Sequence, residues 1–228
     1  MMDSRRTDAA VLFFGVAMLL TFLVNAKVGS VWLVYVLVVA TAGVWGYVVW
    51  REDTQRLLRR SIIVGAAASL VYLPADSLFS HQAHLLFYLS QNALHLGAPP
   101  LSLVLTWILS IGAVIYLYLR LESAWQRKLP AVLLTGLVVF VGSVVIDQLG
   151  SQRLWTWNAT RFKHIPYIGT VPVSVPVALA LTFLFTPYFF RKQPAIIAGV
   201  RCGLFLAAFQ LLCFVGFRYI GVTAGSAP

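Results

Sequence analysis

The stretch "PAVLLTGLVVFVGSVVIDQLGSQRLWTWN", Pro130 to Asn158, combines an apolar run, one carboxylate and a pair of tryptophans. The run before Asp147 is about as long as a helix that crosses a bilayer, which takes roughly 20 residues. It is continuously apolar, whereas the strands of a membrane barrel alternate apolar and polar residues. The stretch therefore predicts a membrane helix that ends on Asp147 and is followed by a polar-aromatic segment.

The same kind of apolar run recurs along the whole chain. Of its 228 residues, 60% are hydrophobic and 11% are charged, against about 25% charged residues in soluble domains. We predict an all-α polytopic membrane protein with about seven transmembrane helices, built as a single membrane domain over residues 1–228. The first run exceeds the roughly 7–15-residue core of a cleaved signal peptide, so we expect it to remain as a membrane anchor. The predicted spans are 9–27, 29–50, 61–79, 100–119, 130–149, 171–190 and 196–220.

The net charge of +10 comes from Arg and Lys residues in the connections between these runs. One end of the predicted bundle carries 12 of them, and the other carries only Lys27, Arg153, Arg161, Lys163 and Arg218. Because basic residues concentrate on the cytoplasmic side, we expect the amino terminus inside and the carboxyl terminus outside. In a bacterium this membrane would be the inner one. The same bias accounts for the charge without a nucleic acid partner, and the sequence predicts no particular oligomeric state.

Two units of the chain, about 61–120 and 130–191, show the same order of landmarks. Each has an Asp, a polar-aromatic segment, a Gly-x-x-Pro turn, an apolar helix and an Arg. Asp76 lies 24 residues before Pro100, and Asp147 lies 25 residues before Pro172. We expect an internal duplication, although alternating helices and Gly/Pro turns are common in polytopic proteins. Either way, the two carboxylates are predicted at the same end of the bundle and could face one another.

Asp76 and Asp147 are the acidic residues that the sequence places at membrane depth. A charge there costs a few kcal/mol, so such residues usually have a function. Burial disfavours the ionised form of a carboxyl, and a buried carboxyl can therefore donate a proton without a metal or cofactor. The structural alternative is that each Asp ends a helix or pairs with a cation such as Arg153 or Arg161.

The residues around the two carboxylates suggest what they could act on. Trp155, Trp157 and Tyr167 offer aromatic faces that stabilise cations, although Trp and Tyr also form belts at any membrane interface. His81 and His84 follow Asp76 at a spacing that suits one helix face, and could complete a metal site with it. No further ligand motif accompanies them, so we expect polar support from these His residues, no metal and no cofactor.

The stretch from Pro130 to Arg191 resembles the lycopene cyclase-domain family of membrane isoprenoid enzymes. The first half, with Gly97-Ala-Pro-Pro-Leu and Thr106-Trp107, resembles carotenoid 1,2-hydratases of related architecture. The landmarks of the family pattern occur here as Asp147, Trp155, Trp157, Asn158, Gly169, Pro172, Pro187 and Tyr188.

One departure from the family pattern concerns its acid pair. The family has two Glu after the Pro, but this chain reads Pro172-Val173-Ser174-Val175. Pro74-Ala75-Asp76-Ser77 could instead match that position, which competes with the pairing of Asp76 and Asp147 in the internal repeat. Under both alignments, Asp76 and Asp147 are the acids that remain.

The resemblance implies cofactor-independent protonation of an alkene or epoxide, followed by cyclisation or hydration of a terpenoid- or carotenoid-type lipid. The alternatives are a non-catalytic membrane subunit or lipid-binding protein of the same fold, or a small transporter. The predicted site consists of catalytic Asp76 and Asp147, cation-stabilising Trp155, Trp157, Asn158, Tyr167, Tyr72 and Trp107, and polar support from His81, His84 and Arg161.

Overall fold

The structure is a computed structural model that describes residues 3–51, 56–89, 93–151, 153–190 and 193–225. Within these ranges, six helices are long and apolar enough to cross a membrane, and a shorter apolar helix accompanies them. The prediction of an all-α polytopic membrane protein is confirmed. The helices are α1 (Asp3–Val28), α2 (Val31–Arg51), α3 (Leu57–Ser77), α4 (Leu101–Trp125), α5 (Lys128–Gly150), α6 (Ser174–Leu184), α7 (Thr186–Phe189) and α8 (Ala195–Gly225).

The sixth predicted span, 171–190, is not one continuous helix. Helix α6 has 11 residues, about 16 Å at 1.5 Å per residue, which is shorter than a bilayer core. Pro187 has no N–H for the carbonyl of Phe183 four residues earlier. The hydroxyl of Thr186 donates to that carbonyl instead, at 2.5 Å. The helix thus breaks between α6 and α7, while the carbonyl of Phe183 keeps a hydrogen-bond donor.

Two pairs of short strands lie in the polar-aromatic connections. β1 (Leu86–Tyr88) pairs antiparallel with β2 (Trp155–Trp157), and Tyr88 lies opposite Trp155. β3 (Tyr167–Ile168) pairs with β4 (Val171–Pro172) just before α6. The β1–β2 pair joins the connection after α3 to the connection after α5, so both segments sit over the same end of the bundle.

Helix α3 packs against α4 on one side and α8 on another, with glycines at both contacts. A Cβ at Gly65 would lie against the backbone of Ile108 and 2.9 Å from the nitrogen of Gly112 on α4. A Cβ at Gly203 of α8 would lie 2.6 Å from the carbonyl oxygen of Ala68. Lipid supplies no hydrophobic driving force for the association of membrane helices, so close packing has to hold them together. Small residues allow this close approach. These contacts set the position of α3, which carries Asp76.

At the other end of the bundle, Asp8 ties α1 to α4. The Arg120 guanidinium donates to both carboxylate oxygens of Asp8, with Nε and Nη2 each 3.0 Å from one oxygen. The Tyr116 hydroxyl donates to the same carboxylate at 2.7 Å. Because the charged side chains are partly exposed, this ion pair contributes orientation more than stability.

Gly203→Ala should destabilise the protein by about 1–3 kcal/mol, because the added methyl group overpacks the α3–α8 contact. Gly43→Ala is the matched control, since a Cβ at Gly43 of α2 meets nothing within 4 Å. The control should be neutral or slightly stabilising, as Ala is favoured over Gly in a helix by about 1 kcal/mol. Unfolding of the purified protein in detergent measures both changes. Equal stability of the two variants would contradict the packing role of Gly203.

Candidate functional site

The carboxyl-terminal end of α3 departs from regular helix where Asp76 lies. Pro74 is inside the helix and removes one backbone donor. Residues Leu78–Gln82 then form a π-helical turn, in which the Ala83 N–H donates to the Leu78 carbonyl at 2.9 Å. Such turns widen a helix locally and occur frequently at functional sites. Here the turn leads the chain directly into β1.

Asp76 is buried, with 3% of its surface exposed. The hydroxyl of Tyr88 on β1 donates to its Oδ2 at 2.9 Å. Burial, with the nearby negative charge of Asp76 as a second cause, raises the pKa of the Tyr88 phenol well above its ordinary value. Tyr88 therefore stays protonated at any physiological pH and acts as a donor to the carboxyl.

Asp147 near the end of α5 is partly buried and also lies beside an aromatic side chain. This side chain is the indole of Trp155 on β2. The Trp155 ring also packs edge-on against Phe22 of α1, with ring centroids 6.0 Å apart. Tyr88 and Trp155 are opposite each other in the β1–β2 pair, so one strand pair places an aromatic side chain near each carboxyl.

The two carboxyls share a polar neighbourhood. Tyr72 and Tyr88 both lie close enough to Asp76 and Asp147 to interact with them electrostatically. The ring of Tyr72 packs edge-on against Trp107 of α4 at 5.7 Å. The two tyrosines thus lie near both carboxyls, and the ring of Trp107 packs against Tyr72.

A small cavity adjoins Asp76 beneath the β1–β2 pair, with a free volume of about 30 Å³. Its walls come from α3, the π-helical turn, β1, β2, the segment after β2, and helices α6 and α8. Most of the lining is apolar or aromatic, and the polar exceptions include a carboxyl and an amide. The lining residues are Tyr72, Asp76, Phe79, Leu85, Leu86, Trp157, Phe162, Ser174, Val175, Gln210 and Phe214.

The predicted aromatic residues divide between this cavity and other places. Tyr72 and Trp157 line the cavity together with Asp76. Trp107 and Trp155 lie outside its lining, against Tyr72 and Phe22 respectively. Tyr167 on β3 is 39% exposed.

The predicted polar residues hold or border the connections. Asn158 donates to the His84 carbonyl at 2.8 Å and accepts from the Thr160 N–H at 3.1 Å, so it joins the two connections. His81, His84 and Arg161 are exposed. In the part of the chain that the structure describes, no three His, Cys, Asp or Glu side chains converge as a metal site requires.

The segments that follow Asp76 and Asp147 each end in a turn that is held by the same kind of hydrogen bond. The Ala98 N–H donates to the hydroxyl of Ser77 at 3.3 Å, and the Thr170 N–H donates to the amide oxygen of Gln148 at 2.9 Å. Ser77 and Gln148 each follow an Asp, and Ala98 and Thr170 each follow a glycine with positive φ, Gly97 (76°) and Gly169 (62°). A side chain at either glycine would meet the Ser77 or Gln148 side chain. The internal duplication remains a prediction. The two segments share this hydrogen-bond geometry, which is compatible with it.

Sequence reasoning missed several of the lining residues. Tyr88 stands in a short polar-aromatic segment with no motif to distinguish it. Phe162 and Phe214 resemble the many other apolar residues of the chain. Gln210 could have been chosen as a candidate from the sequence alone, because polar side chains are uncommon inside membrane helices and often have a function there.

Comparison with protein-family models, with curated proteins and with solved structures found no match for this chain. The resemblance to lycopene cyclase-domain proteins therefore depends on the motifs quoted above.

Tyr88→Phe should lower the free energy of unfolding by about 1–3 kcal/mol, because it leaves a buried carboxyl without its donor. In an Asp76→Ala background the same change should cost much less, since the acceptor is already gone. A double-mutant cycle on unfolding in detergent gives the coupling between the two groups. Tyr47→Phe, at a position that is 55% exposed on α2, is the control. Strictly additive effects of Tyr88→Phe and Asp76→Ala would show that this hydrogen bond carries no stability.

Proposed function

We propose that this protein is a membrane-embedded isoprenoid enzyme that protonates an alkene or epoxide without a cofactor. The observation that carries the proposal is the position of Asp76, a buried carboxyl in the wall of a cavity with aromatic sides. A positioned carboxylic acid accelerates proton transfer by about 10²–10⁴-fold. The motif resemblance to lycopene cyclase-domain proteins favours the same chemistry.

Asp76 is the proton donor in this proposal. Tyr88 holds one carboxyl oxygen, Oδ2, which leaves the other oxygen to carry the acidic proton. Transfer of that proton to a carbon of an alkene creates a cationic carbon and an Asp76 carboxylate. Transfer to the oxygen of an epoxide does the same when the ring C–O bond breaks, and the oxygen remains on the product as a hydroxyl. Return of a proton from the product to a carboxylate restores the enzyme.

The aromatic walls stabilise the cation. Trp157, Phe162 and Phe214 line the same cavity as Asp76, and Trp157 stacks edge-on against Phe162 at 5.8 Å. The faces of such rings attract cations, and Trp does so most strongly. Attack of a second double bond followed by loss of a proton completes a cyclisation. Addition of water followed by loss of a proton completes a hydration.

Asp147 has a secondary role in the proposal. It lies outside the cavity lining and beside Trp155, yet it is close to the same two tyrosines as Asp76. This position suits a group that stabilises the charge distribution around Asp76 or accepts a proton after turnover. It does not suit direct contact with the substrate.

Substrate binding requires the cavity to enlarge. A free volume of about 30 Å³ is roughly that of one water molecule in the liquid, whereas sites for small molecules measure about 300–1,000 Å³. A terpenoid chain therefore has to displace side chains or separate helices.

The charge count supports an orientation with the amino terminus in the cytoplasm and the carboxyl terminus outside. In that orientation Asp76, Asp147 and the paired strands lie toward the outer side of the membrane. A lipophilic substrate would reach them from the bilayer, and a bacterial version of the protein would work in the inner membrane.

Asp76→Asn should reduce turnover by at least about 100-fold, because it removes the transferable proton while keeping the shape of the side chain. Asp147→Asn should cause a smaller loss. Mass spectrometry of lipids extracted with the purified wild type and both variants measures the amount of cyclised or hydrated product. This product should be most abundant in the wild type, reduced in Asp147→Asn and nearly absent in Asp76→Asn.

Two outcomes would contradict the enzyme proposal. Full turnover by folded Asp76→Asn would exclude Asp76 as the acid. Ordinary phospholipid in every sample, together with a stoichiometric protein partner or with transport that depends on a membrane gradient, would support the subunit or transporter alternative.

A further inference from the structure

The indole N–H of Trp157 is buried and has no hydrogen-bond partner among the residues that the structure describes. An indole nitrogen can only donate, and a buried donor without an acceptor costs about 1–3 kcal/mol. Trp157 also lines the cavity beside Asp76. The residue that carries this unpaired donor is therefore part of the wall of a space that a ligand can enter.

The other polar groups of the cavity come from separate elements. Tyr72 and Asp76 belong to α3, Ser174 to α6 and Gln210 to α8. The free volume of about 30 Å³ exceeds the roughly 10–15 Å³ that one water molecule needs, so it admits a small oxygen-bearing group. The rest of the lining is aliphatic or aromatic, so the space suits a single oxygen attached to an apolar body.

The charge of the lining selects a neutral oxygen. The side chains around the cavity include the Asp76 carboxyl, while none of the lining residues is Lys or Arg. A phosphate or carboxylate end would therefore lose its water without meeting a cation, which is costly for a charged group. A hydroxyl, carbonyl or ether oxygen accepts from Trp157 without that cost.

We propose that Trp157 and Gln210 form an oxygen-binding subsite, which receives the neutral oxygen-bearing end of an isoprenoid lipid next to Asp76. Trp157 Nε1 donates to the ligand oxygen, and the Gln210 amide positions it from α8. The inference deepens the proposed function, since it concerns the same cavity. It states that the preferred ligand is an oxygenated isoprenoid and not a pure hydrocarbon.

The test compares farnesol with farnesene, two isoprenoids of equal chain length of which only farnesol has a hydroxyl. Equilibrium binding of tritiated farnesol to the full chain in detergent, with farnesene as competitor, gives both affinities. The wild type should prefer farnesol. Trp157→Phe keeps an aromatic ring but removes the donor, and should weaken farnesol binding about 3- to 10-fold, the value of one hydrogen bond, while farnesene binding stays unchanged.

Gln210→Leu tests the subsite from α8 and should reduce the preference for farnesol over farnesene. Trp32→Phe is the matched control, because Trp32 is 76% exposed on α2 and should leave both affinities unchanged. Equal affinity of the wild type for the two ligands would overturn the subsite. An unchanged farnesol preference in Trp157→Phe, or an equal loss for both ligands, would overturn it as well.

Asp76→Asn separates the subsite from the catalytic proposal. If turnover persists in this variant while the farnesol preference depends on Trp157, the acid assignment fails and the subsite stands. If turnover is lost while the wild type binds both ligands equally, the acid assignment stands and the subsite fails.

Discussion

Close backbone contact between α3 and its neighbours α4 and α8 is the constraint on which the site depends. Gly65 meets α4 and Gly203 meets α3 at distances that exclude a side chain. In a bilayer this packing has to come from shape, because lipid chains solvate an apolar helix as well as another helix does. With α3 held in this way, Asp76 points into the space between α3, α6 and α8, where a cavity can form.

The pairing of β1 with β2 is the second constraint, and it acts on the two connections together. Backbone groups near the membrane have to find partners, and the two polar-aromatic segments satisfy each other by forming a strand pair. The pair also delivers three side chains with different tasks. Tyr88 donates to Asp76, Trp155 lies beside Asp147, and Trp157 lines the cavity.

The buried indole nitrogen of Trp157 and the buried carboxyl of Asp76 distinguish this small cavity from a purely apolar void. Empty cavities in proteins are apolar, and polar ones hold water or ligand. Here two hydrogen-bonding groups of opposite character line one space that is otherwise apolar and aromatic. Acid chemistry on a lipophilic molecule uses this combination, because the acid creates a cation and the aromatic rings stabilise it.

The sequence by itself determined the membrane class, six of the spans and the presence of an acid near the end of both α3 and α5. Apolar length and the cost of a charge in lipid are local properties, which residue order alone reveals. The break in the sixth span was not predicted from the sequence, because it depends on the Thr186 hydroxyl replacing the donor that Pro187 lacks. Only the tertiary structure decided that Trp157 lines the cavity while Trp155 packs against Phe22, that Tyr88 supports Asp76, and that Gln210 lines the same wall. These facts follow from strand register and helix packing between distant segments, and residue type alone does not encode which of two nearby tryptophans faces the cavity.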